Sequence, residues 1–212
     1  MAESKSTDKK LLVHDALVLT LITVIAGVAL GLVYEITKAP IAKANEEATQ
    51  EAYQAVFSDA ASFEDVSDFD SDDASKLVHK AGYEDDDISN CVIAEDASGK
   101  QLGYVITVTT HDGYGGDITF SMGVTNDGTM NGYSITDISE TAGLGMKSTE
   151  EAFMSQFEGI SDGTYEVVKT SKKSDNQIQA ISGATITSRS VTNGVNAGFV
   201  YFDSLKGGSD NE

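Results

Sequence analysis

The stretch "DITFSMGVTNDGTMNGYSITDI", Asp117 to Ile138, reads as two extended segments around a tight turn at Asn126-Asp127-Gly128. Asn and Gly tolerate the positive backbone angles that a hairpin turn requires, so the stretch predicts an antiparallel pair. The residues before it repeat the pattern. "CVIAED", "SGK" and "QLGYVITVTTH" (Cys91–His111) predict a first hairpin with a Ser-Gly turn. Tyr104, Ile106 and Val108 fall at period two on one face. "HDGYGGD" (His111–Asp117) is left as the connection between the hairpins, with Tyr114 read as a surface side chain that can also stack on a ring. "GTYEVV" (Gly163–Val168) predicts a further short strand.

Helical spacing flanks this β-rich middle. Ile41 to Phe57, after the only proline, Pro40, places Ile41, Ala44, Ala48, Ala52, Ala55 and Val56 along an amphipathic helix. "TEEAFMSQF" (Thr149–Phe157) brings Phe153 and Phe157 four apart. From about Thr187 to Leu205, Val191, Val195, Phe199 and Phe202 form a core-facing stripe. The fold class expected is α+β: an antiparallel β-rich domain flanked by helices. Two acidic stretches, Ser58–Ser75 and Glu84–Asp87, read as solvated loops, since the calcium-loop spacing is absent.

At the other end, Ala16 to Tyr34 runs nineteen residues without a charge, enough for one membrane-crossing helix. Lys5, Lys9 and Lys10 precede it, and mostly acidic residues follow. This bias predicts a cytoplasmic N-terminus and an extracytoplasmic domain, with membrane lipid around the helix. The apolar run exceeds a usual signal core, and "AKA" at Ala42–Ala44 lies well past its end, so an uncleaved anchor is expected. The organisation expected is a cytoplasmic N-terminus over 1–15, a transmembrane helix over 16–36, an amphipathic helix and acidic linker over 37–75, an extracytoplasmic domain over 76–206 and a flexible tail over 207–212.

The chain of 212 residues carries 14 basic and 34 acidic side chains, a net charge of −20, with Arg189 the one arginine. Such a chain lacks the clustered cations that hold nucleic acid. Its one cysteine, Cys91, allows neither an internal disulfide nor a thiolate-held metal, and His14, His79 and His111 stand far apart in sequence, so no metal site is expected. Serine-hydrolase chemistry is set aside because GxSxG is absent.

Two loops carry the candidate chemistry. In "SGATITS" (Ser182–Ser188) four hydroxyls crowd a helix start. Gly183 lets the backbone approach another group, and the first helical turn offers free N–H groups to an anion. Spacing alone leaves a Ser/Thr helix cap as the simpler reading. In "SETAGLGMK" (Ser139–Lys147), Gly143 and Gly145 flank Leu144 between a strand and a helix. Such a loop presents backbone N–H groups and one apolar side chain to a flat ligand, with Lys147 supplying a positive charge; a plain connection is the alternative.

Together the two loops resemble the FMN-binding domains of the Rnf and Nqr respiratory complexes. Ser182-Gly183-Ala184-Thr185 resembles that family's flavinylation motif, and Glu140, Thr141, Gly143, Leu144 and Gly145 match its Glu-Thr-Pro-Gly-Leu-Gly loop. Two positions depart: Gln179 stands where the motif has Asp, and Ala142 where the loop has Pro. The layout, with one N-terminal membrane helix, resembles the family as a whole, and the compact size is closer to the G subunit of Rnf complexes than to the C subunit of Nqr complexes. The resemblance implies FMN attached through a phosphoester to Thr185, with Ser182 and Thr187 positioning the phosphate or capping the helix. It implies an electron-carrying member of an ion-translocating ferredoxin:NAD oxidoreductase, which completes no catalytic cycle alone. Its partners would be the other proteins of the complex and a flavin transferase that installs the cofactor. An Nqr-type member, an anchored FMN protein of extracellular electron transfer and a non-redox binding module are the alternatives.

Overall fold

The computed structural model describes residues 2–161 and 163–208, with side chains over 11–161 and 163–206. The chain divides into two compact units, Met1–Glu47 and Ala48–Glu212. A single helix, α1 (Ala2–Val56), supplies all of the first unit's described structure and begins the second.

In the first unit the apolar side chains from Leu11 to Ile41 are exposed, and the helix is long and apolar enough to cross a membrane. Pro40, which precedes the amphipathic helix expected from Ile41, lies inside α1, so the two segments form one helix. A proline removes one backbone hydrogen bond. The Ala, Glu and Gln that follow are strong helix formers and carry the helix onward.

The second unit is built on a five-stranded antiparallel sheet in the order β1 (Ser62–Asp65), β2 (Asp86–Glu95), β3 (Gln101–Thr110), β4 (Ile118–Thr125) and β5 (Met130–Ile138). Both expected hairpins form. Ile106 pairs with Met122 and Val108 with Phe120 across β3 and β4. The sheet is covered on both faces. On one, Tyr53, Val56 and Phe57 at the end of α1 pack against Val92, Ala94 and Val105. The stripe expected on α1 is thus only partly buried: Ala52, Tyr53 and Val56 are inside and Ala55 is exposed.

The other face carries the main core and two helices, α2 (Ser71–Lys80) and the closing helix α4 (Thr185–Gly208). Val191, Val195, Phe199 and Phe202 are all buried there. Gly198 allows α4 its close approach, since a Cβ at that position would collide with Met122 Sδ. Between β5 and α4 lie a 3₁₀ turn over Gly145–Thr149, the short helix α3 (Glu151–Met154) and a second 3₁₀ turn, Ser155–Phe157. Phe153 and Phe157 meet edge to face with centroids 5.5 Å apart.

The acidic stretches are loops only in part. Ser62–Asp65 is strand β1, paired with β2 from Ser62↔Glu95 to Asp65↔Val92. Asp70 caps α2 by accepting the Asp73 N–H at 3.0 Å, and Asp72 and Asp73 sit at the positive end of its dipole. Ser71 Oγ donates to Ile88 O at 2.7 Å, and Ser75 Oγ accepts from Ile88 N at 3.1 Å, which docks the helix on the sheet. Phe63, Val66 and Phe69, interleaved with the acids, pack against the core clusters. In the second stretch, Asp86 opens β2 and is 2% exposed.

The expected strand at Gly163–Val168 shortens to β6 (Glu166–Val168), which pairs in parallel with β7 (Gln177–Gln179). Gln156 grips β7 at its end: its Nε2 donates to Gln179 O at 3.2 Å, and its Oε1 accepts from Gln179 N at 2.8 Å. Of the expected tail over 207–212, the backbone of 207–208 continues α4 and residues 209–212 lie outside the described ones.

Candidate functional site

Strand β7 leads directly into the Ser182–Thr185 loop. Ser188 holds that loop to α4: its buried hydroxyl accepts from Ile181 N at 2.9 Å and donates to Ala184 O at 2.8 Å. Ser188, read from sequence as one of four crowded hydroxyls, therefore has a positioning role. Thr185 is the first residue of α4, so the unpaired N–H groups of the first turn open beside it. Thr187 falls on the same stripe as Val191 and Val195 and is buried.

The second loop folds back on itself. The Thr141 carbonyl accepts from Leu144 N at 3.1 Å and from Met146 N at 3.2 Å. Gly143 takes φ +77, a left-handed conformation open to glycine at little cost. Ser148 Oγ donates to Gly145 O at 2.8 Å, and Tyr133 OH donates to Ser148 O at 2.7 Å, which fixes the turn to the sheet.

The two loops touch. A Cβ on Gly183 would meet Leu144 Cδ2 at 3.1 Å, and one on Gly145 would lie 2.5 Å from Glu140 Oε2. Between them is a cavity of about 490 Å³, lined by Glu140, Thr141, Leu144, Gly145, Gly183, Ala184, Thr185 and Thr187 from the expected residues, and by Tyr114 and Ile186. Glu140 is 8% exposed; its Oε1 accepts the Tyr114 backbone N–H at 2.7 Å, which ties the Gly-rich connection to the cavity wall.

Three expected residues lie elsewhere. Ser182 and Lys147 line a neighbouring groove with Gln179 and Lys172, and Gly143 lines neither. Lys147, in the 3₁₀ turn, lines that groove and not the cavity.

From sequence, Tyr114 read as a surface side chain and Ile186 was not singled out. Both rim the cavity, at 70% and 46% exposure, with Leu144 at 42%. These are the only exposed large apolar side chains of the second unit among the described residues. Ile186 carried a legible signal: it lies off the 187–191–195 stripe, an apolar residue with no core to face. The cavity's size is that of a small-molecule site, and its apolar rim above a helix start suits a flat ring bearing a phosphate. Cys91 contributes no chemistry: burial pushes its thiol up to about 12.

The FMN-binding domain family matches residues 113–199, a span that holds both loops. The chain is 33% identical over 205 residues to the G subunit of the Na(+)-translocating ferredoxin:NAD(+) oxidoreductase complex of Acetobacterium woodii, covering 96% of this chain and 97% of that protein. It is 30% identical over 190 residues to the G subunit of the proton-translocating ferredoxin:NAD(+) oxidoreductase complex of Clostridium ljungdahlii, covering 90% and 91%. The crystal structure of the C subunit of Na(+)-translocating NADH-quinone reductase from Parabacteroides distasonis has a similar fold, with a TM-score of 0.52 and 20% identity over 76% of this chain and 94% of that one.

Proposed function

The chain belongs to the G-subunit family of ion-translocating oxidoreductase complexes, and on that premise we propose that it carries electrons within such a complex through FMN esterified to Thr185. The observation that carries this reading is the rim of the cavity. Among the described residues, the three exposed large apolar side chains of the second unit, Tyr114, Leu144 and Ile186, all line one cavity together with Thr185.

Each residue has a part. Leu144, Ile186 and Tyr114 give apolar and aromatic surface to a flat ring. The first-turn N–H groups of α4 and the positive end of its dipole stabilise a phosphate without basic side chains. Gly183 and Gly145 let the walls pack closely, where a Cβ would meet Leu144 and Glu140. Ser182, on the outer side of the loop, is open to a maturation enzyme. When bound, FMN supplies electron transfer, and the protein supplies attachment and orientation.

Attachment needs a flavin transferase with a flavin adenine dinucleotide as donor. The Thr185 Oγ1–phosphorus bond forms, the bond between the two phosphates breaks, adenylate leaves, and the hydroxyl proton passes to a base of the transferase. No change of oxidation state is involved. Gln179 in place of Asp leaves the helix start intact, because Gln156 holds its backbone. Helix α1 anchors the chain in lipid beside its partner proteins, with the N-terminus cytoplasmic and residues 48–212 outside.

The test is co-expression with a flavin transferase, followed by a denaturing gel viewed under ultraviolet light and mass spectrometry of the peptide containing Thr185. A yellow fluorescent band that disappears in Thr185→Ala is expected. A colourless wild-type band, or a label that survives Thr185→Ala, refutes the ester.

A further inference from the structure

Two of the chain's histidines, far apart in sequence, converge in space on Asp87. His111 follows β3 and opens the segment His111–Asp117, whose Tyr114 rims the opening. Its Nδ1 lies 2.9 Å from Asp117 Oδ1, and its Nε2 lies 3.1 Å from Asp87 Oδ2. His79 Nε2 on α2 lies 3.1 Å from the other oxygen of Asp87, without hydrogen-bond geometry. Among the described residues no such group is arranged to hold a metal ion.

Ionised carboxylates only accept hydrogen bonds, and a neutral imidazole has one N–H. His111 can satisfy Asp117 and Asp87 together only when both ring nitrogens are protonated. His111 and Asp117 are the two ends of the segment, so their contact closes its neck. The His111 backbone N–H also donates to Asp85 O at 2.8 Å, which fixes the histidine end next to the start of β2.

We propose that His111 is a proton-operated clasp on the segment that carries Tyr114 to the cavity. Protonated, it holds the neck shut against both carboxylates. Deprotonated, it turns a lone pair toward one of them, and the Tyr114 segment loosens. The clasp stands on its own geometry; its effect on a bound flavin rests on the reading above.

The charged groups around His111 are Asp85, Asp86 and Asp87 at the start of β2, Asp112 and Asp117 of its own segment, and His79 of α2. Asp72 and Lys76 of α2 line the adjoining groove. Hydrogen bonding to Asp117 first, and to Asp87 next, raises His111 above its ordinary value, against a smaller opposing effect of burial. A raised imidazole gives a contact that is complete below the ordinary histidine value and lost as pH rises through the folded one.

Amide hydrogen exchange of residues 112–116 in the full-length protein in detergent, corrected for intrinsic rates, reads the clasp directly. Protection is expected to fall about fivefold or more between about pH 5.5 and pH 8.5. His111→Gln, which cannot charge, is expected to show low protection at both. Asp117→Asn is expected to move the transition to lower pH, and it carries the test if the histidine variant does not fold. Protection that is flat with pH in the unaltered chain, or unchanged in both variants, overturns the clasp. In a second arm, FMN is added to Thr185→Ala protein, and its quenching by Tyr114 is expected to follow the same transition. An exchange transition without any flavin response keeps the clasp and counts against flavin in this cavity.

Discussion

The carboxylate of Glu140 binds the backbone of Tyr114 through Oε1 at 2.7 Å, joining two loops separated by 26 residues at one wall of the cavity. Glu140→Ala removes the acceptor and leaves a part-buried N–H unpaired, at a cost of about 1–3 kcal/mol. Glu140→Gln keeps an oxygen at the same reach and is expected to lose less. Denaturant unfolding of the two variants, with exchange of the Tyr114 amide, checks the order. Equal loss in both would show that the charge, not the acceptor, holds the loop.

The contact between Gly183 and Leu144 predicts a non-additive pair. Gly183→Ala places a Cβ at φ +82 and 3.1 Å from Leu144 Cδ2. The backbone part alone costs about 1–2 kcal/mol. Leu144→Ala removes the steric part only, so the double variant is expected to be less destabilised than the sum of the singles. A double-mutant cycle by chemical unfolding measures the coupling.

Ser188 makes the Ser182–Thr185 loop dependent on one buried hydroxyl. Ser188→Ala strands the Ile181 N–H in the core and is expected to cost about 1–3 kcal/mol. The same change should lower flavin labelling of Thr185 at fixed transferase, because the loop loses its tie to α4. Full labelling at reduced stability would separate the two roles.

Asp86 sets a pH dependence of stability. Burial raises its carboxyl from 3.8 to about 6, against a hydrogen bond from Thr110. The folded chain therefore holds this proton more tightly than the unfolded one, and the associated stability is present below about pH 4 and lost as pH rises through about 6. Asp86→Asn does not titrate, so relative to the parent it should gain about 3 kcal/mol between about pH 4 and pH 8. Thermal melts of both proteins across that range test it. A constant difference would place the Asp86 carboxyl in water rather than in the core.

Much of this was legible in the sequence because it is local. Period-two alternation and the turn at Asn126-Asp127-Gly128 predict the hairpins, and the stripe Val191–Val195–Phe199–Phe202 predicts the face that α4 buries. Acidic composition misled at Ser58–Ser75, where Asp70 is a helix cap and Phe63, Val66 and Phe69 supply the packing. The signal was present, but charge density masked it.

By itself the sequence determined the apolar N-terminal helix, the antiparallel middle and the two loops, since periodicity, turn residues and motif spacing act over a few residues along the chain. Only the tertiary structure decided what those loops enclose. It set Leu144 against Gly183, brought Tyr114 and Ile186 to the same opening, put Lys147 in the neighbouring groove, and placed His111 between Asp87 and Asp117. Most of these are contacts between residues far apart in the chain. They follow from how the sheet and α4 close around one core, which no local pattern encodes.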